Sequence, residues 1–405
     1  MPRLVFLHVG SPKTGTTYLQ AILWRNRELL GEDGVLLPGT SIRDHFLATL
    51  DVRDNAARAA EPAKVAGAWD RLVEEASGWA DNVLVSHEML ASATAEQARS
   101  GIRRFQELGA EVHIVLTVRD LARQLPAEWQ ERIKHRSQLD FPSFMEQASD
   151  PSSTVFQRLW AAQDYVGIVE RWGSSLPPGQ VHVVTVPASG APKGLLWERF
   201  SGVLGLDPSR YDLEVPRENT SIGHEQAVLL RRINGQLGER LPLPGRYTRV
   251  VKELLAHQVL EGRSGTKIVL GGDDLILARK RSQEMVDGLR GHGVDVVGTL
   301  DDLIVPNGSP IERSTARGEL PVEELLEESV AATIGLLDRV GDLFQQWDEE
   351  RQEMRQLRQR IREVRERNQD LHARVAELDA RRLRARAGLV KRRLLGVLGK
   401  ADREG

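Results

Sequence analysis

The chain reads as an α/β protein: a largely parallel central sheet flanked by helices, followed by a long C-terminal helix or coiled coil. Three observations predict this. Apolar runs of strand length alternate with helical stretches over residues 3–306, a pattern that demands crossovers and parallel strands covered on both faces. A turn rich in Gly, Ser, Thr and Lys joins the first such run to a helix. From Met354 the apolar spacing changes to alternating threes and fours, the seam of a coiled coil.

The elements follow in order. Arg3 to Val9 is a strand that stops at Gly10; after the loop to Gly15 the pattern Thr16-Thr17-x-Leu19-x-x-Ile22-Leu23 is a helix. Val35-Leu36-Leu37 suits a short strand, and residues from about Arg53 to Gly78 read as helical, with Trp69, Leu72, Val73 and Ala76 on one face. Val83-Leu84-Val85 is a second buried strand ending in Ser86-His87-Glu88. A helix from about Thr94 to Leu108 leads to the third strand, Val112 to Val118, which ends in Arg119-Asp120. A fourth runs from Val181 to Val186 and is stopped by Pro187. Between them lies a long aromatic-rich segment, Leu121 to Gly179, whose aromatics suit core or lid packing. Helical stretches near residues 195–204, 224–237, 250–260 and 275–291 precede Val294 to Val297, and the globular part closes at Pro306.

Residues 307–320 form a Pro/Gly/Ser linker, and Pro321 opens a helix expected to run to about Arg386, leaving 387–405 as a basic tail. The seam is Met354, Leu357, Ile361, Val364, Asn368, Leu371, Val375 and Leu378. Asn368 suits register specification in a dimer, whereas Arg358, Arg360, Arg365, Arg367 and Arg374 on the flanks oppose a parallel homodimer. Self-association, an antiparallel or heteromeric coil, packing back on the globular part and an acidic partner all stay open. Lys391-Arg392-Arg393-Leu394-Leu395 suits contact with an anionic membrane surface, and its short apolar face makes that contact at most peripheral.

The composition narrows the setting. With no cysteine, disulfides and thiolate metal sites are excluded, and a reducing, cytoplasmic location is expected. Only two residues precede Arg3, so no signal peptide is expected there, and no apolar run approaches the roughly 18 residues of a membrane span. A net charge of −3 gives no general attraction to nucleic acid. That charge is uneven, because seventeen Lys/Arg against ten Asp/Glu from Glu349 onward give +7 there and −10 elsewhere.

The chemistry concentrates at the strand ends, where ligands of open α/β sheets bind. At the first of them, loop and first-turn N–H groups lack intrahelical partners and the helix dipole adds partial positive charge, so this place suits an anion. Lys13 supplies a full charge, Gly10 and Gly15 permit positive φ and close approach, and the hydroxyls of Thr16 and Thr17 can donate. Nucleotide-triphosphatase loops share the Gly-x-x-x-x-Gly spacing but place Lys and Ser/Thr directly after the second glycine; here those positions are Thr16 and Thr17.

The run Pro12-Lys13-Thr14-Gly15-Thr16-Thr17 resembles the Pro-Lys-(Ser/Thr)-Gly-Thr-(Ser/Thr) loop of the sulfotransferases. The resemblance, to the bacterial P-loop-like kind, covers about residues 3–306. It implies 3′-phosphoadenosine-5′-phosphosulfate as sulfate donor, its 5′-phosphosulfate held by Gly10, Ser11, Pro12, Lys13, Thr14, Gly15, Thr16 and Thr17. The strand ending at Arg119 resembles the one that presents the family's 3′-phosphate-binding arginine. The family's serine eight residues later is Ala127 here, which leaves Arg123 and Gln124, one helical turn beyond Arg119, as the nearest substitutes.

Ser86-His87-Glu88 resembles the strand end where family members present a catalytic histidine or, in others, a glutamate. Adjacent residues in extended chain point oppositely, so one of His87 and Glu88 is expected to reach the acceptor as base, His87 ahead of Glu88 because its pKa lies closest to working pH. The lysine that cytosolic members carry two residues earlier is Val85. Asn219 and Ser221 resemble a polar loop that related bacterial members place near the cofactor. The implied activity is metal-free transfer of a sulfuryl group to a hydroxyl or amine of a carbohydrate, glycolipid or small metabolite, with Lys13 stabilising leaving-group charge. Alternatives are a P-loop kinase using ATP and Mg²⁺, and a non-catalytic nucleotide-binding protein working through its coiled coil. Acceptor contacts are expected from residues 121–179 and from loops within 44–79.

Overall fold

A computed structural model of the chain describes residues 2–59, 61–215, 221–243, 245–305 and 319–401, with side chains of the last helix described to Lys391. One six-stranded, all-parallel sheet organises the first part. Its strands are β1 (Leu4–Gly10), β2 (Val35–Leu36), β3 (Asn82–Ser86), β4 (Glu111–Val118), β5 (Val181–Thr185) and β6 (Asp295–Val297). The spatial order is β2-β3-β1-β4-β5-β6. β1 pairs Val5 with Val83 and Val112, so the two chemically distinctive strand ends, after β3 and after β4, flank the end of β1. Chain connections leave β1 toward one edge and β4 toward the other, which makes the gap between them the switch point of the sheet.

Alternation along the strands builds two cores. Val5, Leu7 and Val9 of β1, Val83 and Val85 of β3, and Ile114 and Leu116 of β4 face one layer. Phe6, Leu84, Val115 and Val184 face the other. The second layer is filled by α1 (Thr16–Arg25) and α10 (Leu195–Val203), through Leu19, Ile22, Trp197 and Phe200. The first layer receives α4 (Ala68–Ser77), α5 (Ala95–Gln106), α6 (Leu121–Lys134), α7 (Phe141–Ser149), α8 (Thr154–Gln163) and α9 (Tyr165–Gly173).

The remaining helices are α2 (Arg27–Glu32), α3 (Ile42–Val52), α11 (His224–Leu237), a π-helix at Thr248–Leu260, α12 (Gly272–His292) and α13 (Val322–Ala401). The long segment after β4 is thus four helices, each begun by an Asp or Ser side chain that accepts from a first-turn N–H: Asp120, Asp140, Ser153 and Asp164. Its aromatics are core: Trp129, Phe141, Phe144, Tyr165 and Trp172 are all essentially buried.

The stretch expected as one helix from Arg53 to Gly78 is not continuous. Asp54 has φ of 50°, two 3₁₀ turns follow at Ala56–Arg58 and Pro62–Lys64, and the helix starts only at Ala68, after Gly67 at φ of 68°. Pro62 and the left-handed Gly67 interrupt the hydrogen-bond ladder that periodicity alone would continue. The region expected as loops within 44–79 instead contains α3, opened by a Ser41–Asp44 capping box.

At the other end α13 continues to Ala401, past the expected stop near Arg386 and into the expected basic tail, because no proline ends the pattern. The expected linker lies largely outside the described residues. The chain divides into two compact units, Met1–Leu336 and Leu337–Gly405. Within the first unit the opening turns of α13 are packed: Ala332 is buried, and Glu328 receives Arg263 at 2.9 and 3.1 Å. Among the described residues, no helix is long and apolar enough to cross a membrane.

α9 clamps the turn that follows β3. Trp172 Nε1 donates to the Leu90 carbonyl at 3.1 Å, and Arg171 donates to that of Ala91 at 2.9 Å. Trp172→Ala leaves a cavity and an orphaned carbonyl, and should cost about 3–5 kcal/mol in urea unfolding. A loss below about 1 kcal/mol would show that this contact does not hold the turn.

Candidate functional site

The turn out of β1 is tied down on every side. Gly10 has φ of 123°, and a Cβ there would sit 2.9 Å from the Glu88 carbonyl oxygen, so only glycine lets the loop pass the end of β3. Ser11 donates its N–H to Thr117 at 2.9 Å and its hydroxyl to Ala162 at 2.8 Å. Thr14 Oγ1 lies 2.5 Å from both the Ser11 carbonyl and Thr117 Oγ1. The Pro12 carbonyl accepts from the side-chain amides of Gln124 and Gln163. These bonds hold Lys13 in the left-handed region, φ of 65°, a conformation costing a non-glycine residue about 1 kcal/mol.

Gly15, at φ of 85°, precedes α1 and leaves its first turn without a side-chain cap. A Cβ there would meet Leu196 Cδ2 at 2.5 Å. The first-turn N–H groups at Thr16, Thr17 and Tyr18 therefore form an anion-receptive end, with Thr16 buried and Thr17 exposed.

Arg119 stands beside this loop. Its guanidinium donates to the Lys13 carbonyl at 3.2 Å, its carbonyl accepts from Tyr165 at 2.8 Å, and its Nε is buried with no hydrogen-bond partner among the described residues. Arg123 is engaged elsewhere, in an ion pair with Asp120 and a 3.1 Å bond to the Pro187 carbonyl. Gln124, not Arg123, is the member of this turn that faces the loop. Ser221 is exposed; the next carbonyl, of Ile222, accepts from Gln130 of α6 at 2.6 Å. Asn219 lies outside the described residues.

His87 and Glu88 diverge. The His87 ring is buried against Phe46 of α3, centroids 5.5 Å apart, and its Nδ1 accepts from Met89 N–H at 3.3 Å, starting the 3₁₀ turn. Glu88 is half-buried on the side of the loop's own helix, where Gln20 of α1 donates to it at 3.1 Å. Burial lowers the His87 pKa below its usual value, against the pull of the Glu88 carboxylate. Burial by itself would raise Glu88, but the neighbouring His87, the Gln20 bond and the Lys13 charge outweigh it and hold the carboxylate charged.

Sequence reasoning named Gln124 but missed the rest of its face of α6. Gln124, Glu128 and Glu131, spaced four and three apart, line up toward the loop. Glu131 Oε2 accepts from Lys13 Nζ at 2.5 Å, while its Oε1 meets Lys252 Nζ and His135 Nε2, each at 2.9 Å. Burial works against Glu131, yet His135, Lys13 and Lys252 hold its pKa well below the carboxylate range. Burial likewise disfavours the Lys13 ammonium, and Glu131 more than offsets this, raising its pKa. Glu128, which accepts from Gln163 at 3.0 Å, is pushed upward by burial. The helical spacing of these residues was visible, but nothing local said which way that face would turn.

Behind the loop sit two buried histidines. His8 Nδ1 lies 2.8 Å from Ser86 Oγ and its Nε2 3.3 Å from Thr117 Oγ1. His45 Nδ1 accepts from Ser86 N–H at 3.1 Å, while its Nε2 donates to the Pro38 carbonyl at 2.8 Å. Desolvation lowers each to about 4.

The fold and this geometry define a parallel α/β protein with a cationic, glycine-bounded loop and a separate arginine at the switch point. Comparison of the chain with protein-family models, with curated proteins and with solved structures gave no match to any of them.

The histidines set a pH window. Unfolded, each binds a proton below about 6.5, whereas folded it does so only below about 4, so protons favour the unfolded chain in between. Stability should be full above pH 7 and fall by roughly 3 kcal/mol per histidine as pH drops from 6.5 to 4. Urea midpoints at pH 7.5, 6 and 5 test this, with His45→Gln expected to flatten the decline. An unchanged slope would rule out His45 as its source.

Proposed function

We propose that the chain is a sulfotransferase, moving a sulfuryl group from 3′-phosphoadenosine-5′-phosphosulfate to a hydroxyl or amine of a carbohydrate, glycolipid or small metabolite. The observation that carries this reading is Arg119. It is hydrogen-bonded to the Lys13 carbonyl, yet it keeps a buried, unpartnered Nε. A loop suited to one phosphate and an adjacent arginine with an open donor together fit a nucleotide bearing phosphates at two separate places.

Lys13 and the N–H groups following Gly15 would hold the 5′ end, with Thr16 and Thr17 as hydroxyl donors, and Arg119 would hold the 3′-phosphate. When bound, the donor supplies the sulfuryl group; the protein's part is positioning and charge stabilisation. For Lys13 to serve, its ammonium must turn from Glu131 to the ligand. Glu131 then keeps two cationic contacts, Lys252 and His135, so it is not left buried and bare. Of the two base candidates we favour Glu88. It lies on the loop side, it is charged, and Gln20 orients it; His87 spends its Nδ1 on the backbone and its face on Phe46.

Calorimetric titration tests the donor. Wild type should bind 3′-phosphoadenosine 5′-phosphate more tightly than adenosine 5′-phosphate or ATP·Mg²⁺, and Arg119→Ala should remove most of that preference. A preference for ATP·Mg²⁺ would instead support the kinase alternative. Glu131→Gln, which releases Lys13, should tighten binding of the 3′-phosphorylated nucleotide about tenfold; weaker binding would mean that Glu131 positions Lys13 rather than restrains it. With a panel of hydroxyl and amine acceptors, Glu88→Gln should lower kcat by roughly 10²–10⁴ and His87→Asn by less than about tenfold. The reverse ranking would assign the base to His87.

A further inference from the structure

The second compact unit carries an unpartnered seam. From Met354 to Leu378 α13 is unbroken, and every apolar residue of the heptad seam is half-exposed or more. A helix this long, with Ile, Val and Leu in water at a 3.5-residue period, leaves apolar surface uncovered that a neighbouring helix would remove. Placing Met354 at position a puts Ile361, Asn368 and Val375 at later a positions. Leu357, Val364, Leu371 and Leu378 then fall at d.

We infer that this seam is covered by a second copy of the same chain, running parallel and in register. Three observations select that occupant. The side-chain types match a parallel dimer: β-branched Ile361 and Val375 at a, and leucine at three of four d positions. Asn368, alone among apolar a positions, meets its own counterpart only in a parallel in-register pair, where the two amides can bond to each other.

The third is charge. Of the five arginines that oppose such a pair, Arg374 is neutralised along the helix itself, as is Arg381 just beyond them. Arg374 pairs with Asp370 at 3.2 Å and Arg381 with Glu377 at 2.7 Å, both four residues apart. Arg351 stacks over its own helix's Trp347 at 4.3 Å. Across the interface, Glu353 at g faces Arg358 at e of the second copy, and Arg374 faces Asp379, each pair occurring twice by symmetry. Within Met354–Leu378 Arg360 opposite Arg365 is the direct Arg–Arg clash and Arg367 faces His372; just past the seam Arg381 opposite Arg386 is a second clash.

The chain has no cysteine, so single introduced thiols report register cleanly. In the full-length protein, Asn368→Cys should form an intermolecular disulfide under mild oxidation, while Glu366→Cys, on the outer face, should not. Light scattering on the wild-type chain should give twice the mass of one chain. Arg360→Glu replaces the clash with attraction and should lower the dimer dissociation constant about tenfold. Leu357→Glu with Leu371→Glu should give a monomer whose far-ultraviolet dichroism and unfolding midpoint for the first unit are retained. A wild-type monomer at all accessible concentrations overturns the inference, as does a dimer whose Asn368→Cys variant fails to cross-link. So would dimerisation that appears only on adding an acidic helical partner.

Discussion

The whole arrangement depends on how the chain leaves β1. Between Gly10 and Gly15 it must turn from a central strand into α1 while passing within van der Waals contact of the Glu88 turn, and two glycines at positive φ make that path possible. What keeps it there comes from far along the chain. Thr117 of β4 bonds Thr14, the amides of Gln124 and Gln163 both bond the Pro12 carbonyl, and the Ala162 carbonyl accepts from Ser11. These bonds offset the strain at Lys13 and fix where its ammonium and carbonyl stand. Arg119 takes its position from that same carbonyl, so the two cationic groups of the site are set by one turn.

Around that turn the charges form a balanced set rather than a simple basic pocket. Lys13 is opposed by Glu131, with Glu88 and Glu128 close enough to act on it. Glu131 in turn is shared among Lys13, Lys252 and His135. A partly buried cation paired before any ligand arrives is not left desolvated and bare. It must also be exchanged when an anion enters, and the network offers the displaced carboxylate somewhere to go. Burial explains the rest of the titration pattern. His8 and His45 stay neutral beneath the sheet's end, and Glu128 is driven toward its protonated form.

Much of the sheet was legible in advance because burial on both faces writes strands as short apolar runs. Val83 to Val85 and Val112 to Val118 needed no tertiary information to be recognised. The helix expected from Arg53 to Gly78 was misread because its apolar spacing survives in a chain that Pro62 and a left-handed Gly67 in fact interrupt. The C-terminal helix outran its expected end for the opposite reason, since no proline stops it and it continues through Gly388 and Gly396.

By itself the sequence determined the local periods, and with them the strands, the loop with Lys13 inside it, the arginine at the end of β4 and the heptad spacing of the C-terminal helix. These follow from residue spacing and backbone freedom, which act over a few residues. Tertiary structure alone decided which side chains meet. The order β2-β3-β1-β4-β5-β6 brings the ends of β3 and β4 to either side of β1, and packing on the sheet turns Glu128 and Glu131 toward Lys13. It also sends His87 to Phe46 and Glu88 to Gln20. A one-residue difference along an extended chain is a half-turn in space, and what lies on either side depends on contacts tens of residues away.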